Sequence, residues 1–93
     1  MMTDIFSVKG KVTVITGAGG VLGGSIAKSF IRAGARVAAV DIRPEELDSR
    51  VKELTGLGGE AIGIVGNVLD VSSLEKAAGQ IVDKWDRIDI LLN

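Results

Sequence analysis

Hydrophobic positions in this chain follow two alternating rhythms. Val12 to Ile15 is a short apolar run ending at Thr16, and Leu22, Ile26 and Phe30 then recur four apart. An unbroken apolar run of that length suits a strand covered on both faces, whereas the wider spacing suits a helix with one buried stripe. Between them stands a glycine cluster, Gly17, Gly19, Gly20, Gly23 and Gly24. The pattern predicts a strand over 11–16, a tight turn, and a helix over 21–33 with Gly34 just past its end, where a positive φ is favoured.

The same alternation then repeats. Val37, Ala38, Ala39 and Val40 predict a second strand over 36–41. Pro44 opens a second helix, and Glu45 and Glu46 suit its positive start. Leu47, Val51 and Leu54 form its stripe, Gly56, Gly58 and Gly59 end it, and the charges from Glu45 to Glu53 read as a solvated face. A third strand is expected over 61–66. Ser72 and Glu75 make a capping-box pair ahead of a third helix with Leu74, Ala78, Ile81 and Trp85 on its apolar face. Trp85, at the end of that stripe, reads as core. A fourth strand is expected over 88–92. At the other end, Phe6 and Val8 are expected to pack on the sheet edge, with Gly10 in a turn.

The order β-α-β-α-β-α-β, with connections too long for hairpins, implies a parallel sheet with right-handed crossovers. The fold class is α/β, a partial Rossmann unit with spatial strand order 3-2-1-4. Reversing direction after the third strand puts the third helix on the opposite face from the first two. That face is thinly covered, and the fourth strand has an open edge, so an isolated unit is expected to be marginally stable or to associate there.

Composition narrows the function. The chain has 93 residues, one domain or part of one, with 46% hydrophobic and 25% charged residues. A formal net charge of -1 and only three aromatics, Phe6, Phe30 and Trp85, argue against nucleic-acid binding. Cysteine and histidine are absent, which removes disulfides, thiolate metal sites and histidine bases, so no metal site is expected. No apolar run approaches the roughly 20 residues of a membrane helix, and no signal-peptide core is present. A soluble, cytoplasmic protein is the expectation.

The candidate chemistry lies at the strand ends. Backbone N–H groups at a helix start, with the helix dipole behind them, attract phosphate. Gly17 would make the sharp turn, Gly20 would let a pyrophosphate approach the backbone, and Gly23 would let the helix pack close to the first strand. Asp41 ends the second strand, 18 residues beyond Gly23. An acid there accepts from both ribose hydroxyls of an adenosine and repels a 2′-phosphate, which favours NAD over NADP. The alternative is a helix-capping Asp ahead of Pro44. The Arg43 guanidinium nearby would tolerate a 2′-phosphate, but Asp41 is better placed. Asn67 and Val68 end the third strand on the same sheet edge. They suit the adenine edge as well as they suit a turn in which Asn satisfies local backbone.

Together these residues resemble the N-terminal half of a short-chain dehydrogenase/reductase. Thr16-Gly17-Ala18-Gly19-Gly20-Val21-Leu22-Gly23 resembles the family's glycine signature, and Lys9-Gly10-Lys11-Val12 its entry to the first strand. Asp41 matches the acid that selects NAD in many members. Asn67-Val68-Leu69-Asp70 resembles the adenine-pocket motif, with Asn67 where the family usually has Asp. The run from Ile88 to Asn93 resembles the strand leading into an Asn-Asn-Ala-Gly motif. The glycine spacing, with Gly20 and Val21, is closer to the family's extended branch. The run Gly20 to Gly24, with Val68 to Asp70, is also similar to sugar-acid oxidoreductases of the mannonate/fructuronate type. The resemblance implies cofactor contacts from Gly17, Gly19, Gly20, Val21, Leu22, Gly23, Asp41, Ile42, Asn67, Val68 and Asn93.

The resemblance also implies what lies outside this chain. The family's catalytic Ser, Tyr and Lys follow the Asn-Asn-Ala-Gly strand. This sequence has no Tyr, and no Ser or Lys of it matches those positions. The expectation is residues 1–93 as the N-terminal dinucleotide-binding portion of a single Rossmann domain, with no catalytic residue of its own. Its parent would be an NAD(P)-dependent oxidoreductase, homo-oligomeric, acting on a secondary alcohol or ketone such as a sugar acid or polyol. Two rival readings are a non-catalytic nucleotide-binding module and an S-adenosylmethionine methyltransferase, which shares the glycine turn and the acid. A P-loop NTPase is disfavoured, because no Gly-Lys-Ser/Thr closes the glycine run.

Overall fold

The computed structural model describes residues 7–93. Four strands, β1 (Val12–Thr16), β2 (Arg36–Asp41), β3 (Ala61–Val65) and β4 (Ile90–Leu92), alternate with three helices, α1 (Val21–Arg32), α2 (Pro44–Gly56) and α3 (Val71–Trp85). All strand pairs are parallel, and the sheet order is β3-β2-β1-β4. This is the expected partial Rossmann sheet.

The two sheet faces carry separate cores. Ile15, Val37 and Ala39 point to one face, under Ala27 and Ile31 of α1 and Leu47 and Leu54 of α2. Val12, Val14, Ala38, Val40 and Ile64 point to the other, under Ala77, Ile81 and Trp85 of α3. Alternate residues of β1 and β2 are thus buried on opposite faces, which is why those strands read as unbroken apolar runs. Trp85 is core, as its position at the end of the stripe predicts.

Several local expectations are corrected. The buried stripe of α1 is Gly24, Ala27 and Ile31, whereas Leu22 is 74% exposed. The small residues let α1 lie close to the sheet, and that rotation carries Leu22 to the sheet's end. The cap of α3 is Asp70, not Ser72. Its Oδ1 accepts the N–H of Ser72 at 2.9 Å, an end donor of the helix, so the helix starts before the Ser72–Glu75 pair that was expected to open it. The buried face of α3 runs through Ala77 rather than Leu74 and Ala78.

β4 is shorter than its apolar run. Asp89 Oδ2 accepts the N–H of Val12 at 2.8 Å, so a side chain takes the ladder position that a longer strand would fill. Val8 is half-buried and its carbonyl accepts the N–H of Lys11 across the turn at Gly10, while Phe6 lies outside the described residues. Beside α3, an apolar hollow opens over Val14, Val40 and Leu91, because one helix covers what two cover opposite. No helix among the described residues is long and apolar enough to cross a membrane.

Candidate functional site

Parallel strands end on one side of the sheet. There β1 delivers Thr16 and Gly17, β2 delivers Asp41, β3 leads to Asn67, and β4 leads to Asn93. The strand order reverses beside β1, the position where open α/β sheets hold a crevice.

Two hollows of about 350 and 340 Å³ open at that edge and share Gly17. The first is lined by Gly17, Asp41, Ile42, Arg43, Asn67 and Val68, among others. The second is lined by Gly17, Gly20, Val21, Leu22, Gly23 and Asn93, with Thr16 and Ile26 at its floor. Ten of the eleven residues expected from sequence therefore line this double cleft. Gly19 does not. It lines a separate depression with Glu45, Glu46 and Arg50 of α2, while its N–H bonds Asp41.

The turn between β1 and α1 has a defined backbone. Gly17 has φ +67°, the left-handed region that favours glycine, and its carbonyl accepts the N–H of Gly20 at 3.0 Å. The first intrahelical bond runs from Gly24 N–H to Gly20 O at 2.9 Å. Val21, Leu22 and Gly23 precede it, and among the described residues their N–H groups have no acceptor. No acidic side chain stands in that first turn and no side chain caps it. Three backbone donors at the positive end of a helix thus open onto the second hollow, an arrangement suited to a diphosphate.

Asp41 is buried and fully engaged. Its Oδ1 accepts the backbone N–H of Arg43 at 2.9 Å and Arg43 Nε at 3.0 Å. Its Oδ2 accepts the N–H of Gly19 at 2.9 Å and Arg43 Nη2 at 3.0 Å. The Arg43 side chain, then the backbone donors of Arg43 and Gly19, hold its carboxyl down at about 2, against the push of burial upward. Asp41 is therefore ionised, beside the glycine turn, and under a guanidinium that is itself half-exposed.

The remaining members are placed by short-range bonds. Asn67 Oδ1 accepts the N–H of Leu69 at 3.0 Å, so its side-chain carbonyl serves the local turn. Thr16 Oγ1 donates toward Leu92 O and Asn93 Oδ1, each at 3.3 Å, which ties the ends of β1 and β4 together. Ile42, Val68 and Leu69 are large apolar side chains exposed around the first hollow, and exposed apolar clusters of this kind mark contact surfaces.

Arg50 escaped the sequence reading, which put it on a solvated face. Its Nε donates to Ala18 O at 2.9 Å and its Nη2 to Gly20 O at 3.2 Å. A glycine inside α1, at Gly24, was the available signal, because an interior helical glycine costs about 1 kcal/mol relative to Ala and asks for a packing reason.

The short chain dehydrogenase model matches residues 11–93. The chain belongs to the short-chain dehydrogenase family. A 3-oxoacyl-[acyl-carrier-protein] reductase of Thermotoga maritima is 42% identical to it over 86 residues, which is 92% of this chain and 35% of that protein. A D-threitol dehydrogenase of Mycolicibacterium smegmatis is 38% identical over 88 residues, which is 95% of this chain and 34% of that protein. The solved structure of a short chain dehydrogenase/reductase from Burkholderia phymatum in complex with NAD superposes with TM-score 0.89 at 28% identity, over 92% of this chain and 31% of that one. The chain spans about a third of the length of these two curated relatives. Membership makes this short-chain dehydrogenase chain part of an oxidoreductase family and sets the methyltransferase reading aside.

Proposed function

We propose that this chain is the dinucleotide-binding portion of an NAD-dependent oxidoreductase that transfers hydride between the nicotinamide and a secondary alcohol or ketone. The observation that carries the reading is the double cleft, with unpartnered helix-start donors in one half and an ionised carboxylate in the other. The N–H groups of Val21, Leu22 and Gly23 receive the diphosphate. Gly17 and Gly20 leave room for it, Asp41 takes the adenosine ribose, and Ile42 and Val68 flank the adenine beside Asn67. Asn93, which also lines the second hollow, is assigned to the nicotinamide side. Bound NAD supplies the hydride chemistry, and these residues bind and orient it. Residues 1–93 by themselves are expected to give no turnover, because they include no Tyr to exchange the alcohol proton.

The four contacts at Asp41 bear on cofactor choice. A carboxylate offers about four lone-pair sites, and all are used here. Withdrawal of the Arg43 side chain frees one site on each oxygen, the number that a ribose diol needs. A 2′-phosphate at the same place meets a buried negative charge, which supports NAD over NADP. In the substrate, a polyol or sugar acid agrees with the similarity to a D-threitol dehydrogenase. We further propose that the full-length protein is a homo-oligomer.

Calorimetric titration with NAD, for the wild type and Asp41→Ala, tests the reading. Saturable binding that the substitution weakens supports it. No binding by the wild type overturns it, and equal affinity in the variant removes Asp41 from the site.

A further inference from the structure

The glycine turn is held from behind by a residue of the neighbouring helix. Arg50 leaves α2 with only 17% of its side chain exposed. Its guanidinium reaches two carbonyls of the turn, Ala18 O and Gly20 O, at 2.9 and 3.2 Å. The remaining nitrogen, Nη1, donates to Glu53 Oε1, and Lys28 Nζ lies 3.6 Å from the other oxygen of that carboxylate. The arginine carbon Cζ crosses α1 at Gly24, where an added Cβ would stand 2.3 Å from it. Gly24 is therefore the slot through which the guanidinium passes.

The two carbonyls matter because a trans peptide points its C=O and N–H in opposite directions, and no cis peptide occurs among the described residues. Drawing Gly20 O back toward Arg50 turns the N–H of Val21 the other way, into the hollow that Val21 lines. Drawing Ala18 O back turns the N–H of Gly19 toward Asp41, which accepts it at 2.9 Å. One guanidinium thus braces two peptide planes, one shared with the first intrahelical bond of α1 and serving the diphosphate half of the cleft, and one steadying the carboxylate. Donors fixed before the ligand arrives need no ordering at the moment of binding.

We propose that Arg50, seated on Gly24, is a positioning residue for the diphosphate end of the cleft. The inference rests on the dinucleotide reading above. Arg50 touches no ligand itself. Its bonds hold the orientation of the Gly19 and Val21 N–H groups.

The test compares NAD with adenosine, which lacks the phosphates, on the wild type, Arg50→Gln, Arg50→Lys and Gly24→Ala, alongside thermal midpoints and amide spectra. Loss of the two charge-assisted bonds is expected to weaken NAD by about 10-fold in Arg50→Gln. Adenosine affinity is expected to fall less than NAD affinity, because Asp41 keeps its three Arg43 donors when the Gly19 peptide is released. Arg50→Lys, which keeps the charge and part of the bonding, is expected to fall between. Gly24→Ala, which evicts the guanidinium, is expected to match Arg50→Gln. Equal losses for NAD and adenosine, or a lowered midpoint with both affinities intact, overturn the proposal. If Arg50→Gln does not fold, Arg50→Lys and Gly24→Ala carry the same comparison. If the wild type binds neither compound, the functional reading fails separately. Arg50 is then judged on the Gly19 and Val21 amide resonances, which must move in the variants, and unmoved resonances overturn it.

Discussion

A Cβ on residue 23 would stand 2.3 Å from the carbonyl oxygen of Gly17. The start of α1 thus presses against the backbone of the turn before it, and only glycine fits. Gly20 is different. A Cβ there would meet Gly17 O at 3.4 Å, an ordinary contact, with φ at -80°. The fold does not need glycine at position 20, so its value lies with what approaches from outside. Gly23→Ala is therefore expected to be strongly destabilised, by more than about 2 kcal/mol, since backbone has to shift. Gly20→Ala is expected to keep its midpoint within a few degrees and to lose NAD affinity. Chemical denaturation and calorimetry of both variants check the contrast.

On the proposed reading, the Arg43 side chain, which holds both oxygens of Asp41, competes with the cofactor for that carboxylate. Removing the competitor in Arg43→Ala is expected to tighten NAD binding by roughly two- to fivefold, in the range of an exposed ion pair, and to leave NADP no tighter. Side-by-side titrations with the two cofactors measure it. Weaker NAD binding in the variant means that Arg43 assists the cofactor.

The same ion pair makes stability depend on acid. The Asp41 carboxyl titrates at about 2 in the folded chain, below its ordinary 3.8, first because of the Arg43 side chain. Its contribution is whole above about pH 4 and is lost as pH falls through 2. Denaturation midpoints between pH 5 and 2 are expected to fall less steeply in Asp41→Asn than in the wild type. Parallel slopes in the two proteins remove Asp41 from the acid response.

Thr13 is fully buried in β1 and its hydroxyl has no partner among the described residues. A buried hydroxyl without a hydrogen bond carries a desolvation cost that an isosteric methyl avoids. Thr13→Val is expected to stabilise the chain by about 1 kcal/mol, or roughly 4–8 °C in Tm. Thermal unfolding reads this directly.

At the other end of the sheet edge, Asp70 caps α3. Asp70→Ala is expected to cost about 1 kcal/mol, and Ser72→Ala less than about 0.5 kcal/mol. The reverse order would restore the capping-box reading of Ser72 and Glu75.

Much of this molecule is legible in one dimension. The element order, the parallel sheet, the glycine turn and the sheet edge shared by Gly17, Asp41, Asn67 and Asn93 all follow from short-range signals. Strand runs, helical stripes and Gly or Pro punctuation act over a few residues, and right-handed crossovers convert their order into a topology. Tertiary structure alone decided the rest. It placed Arg43 across Asp41, turned Gly19 toward α2, and brought Arg50 to Ala18 across 32 positions of sequence. It also trimmed β4 at Asp89 and chose Ala27 and Ile31 over Leu22 for burial. Those outcomes depend on which partner a side chain meets once helices have docked. A charged residue reads the same in sequence whether its nearest neighbour is to be water or a buried carbonyl.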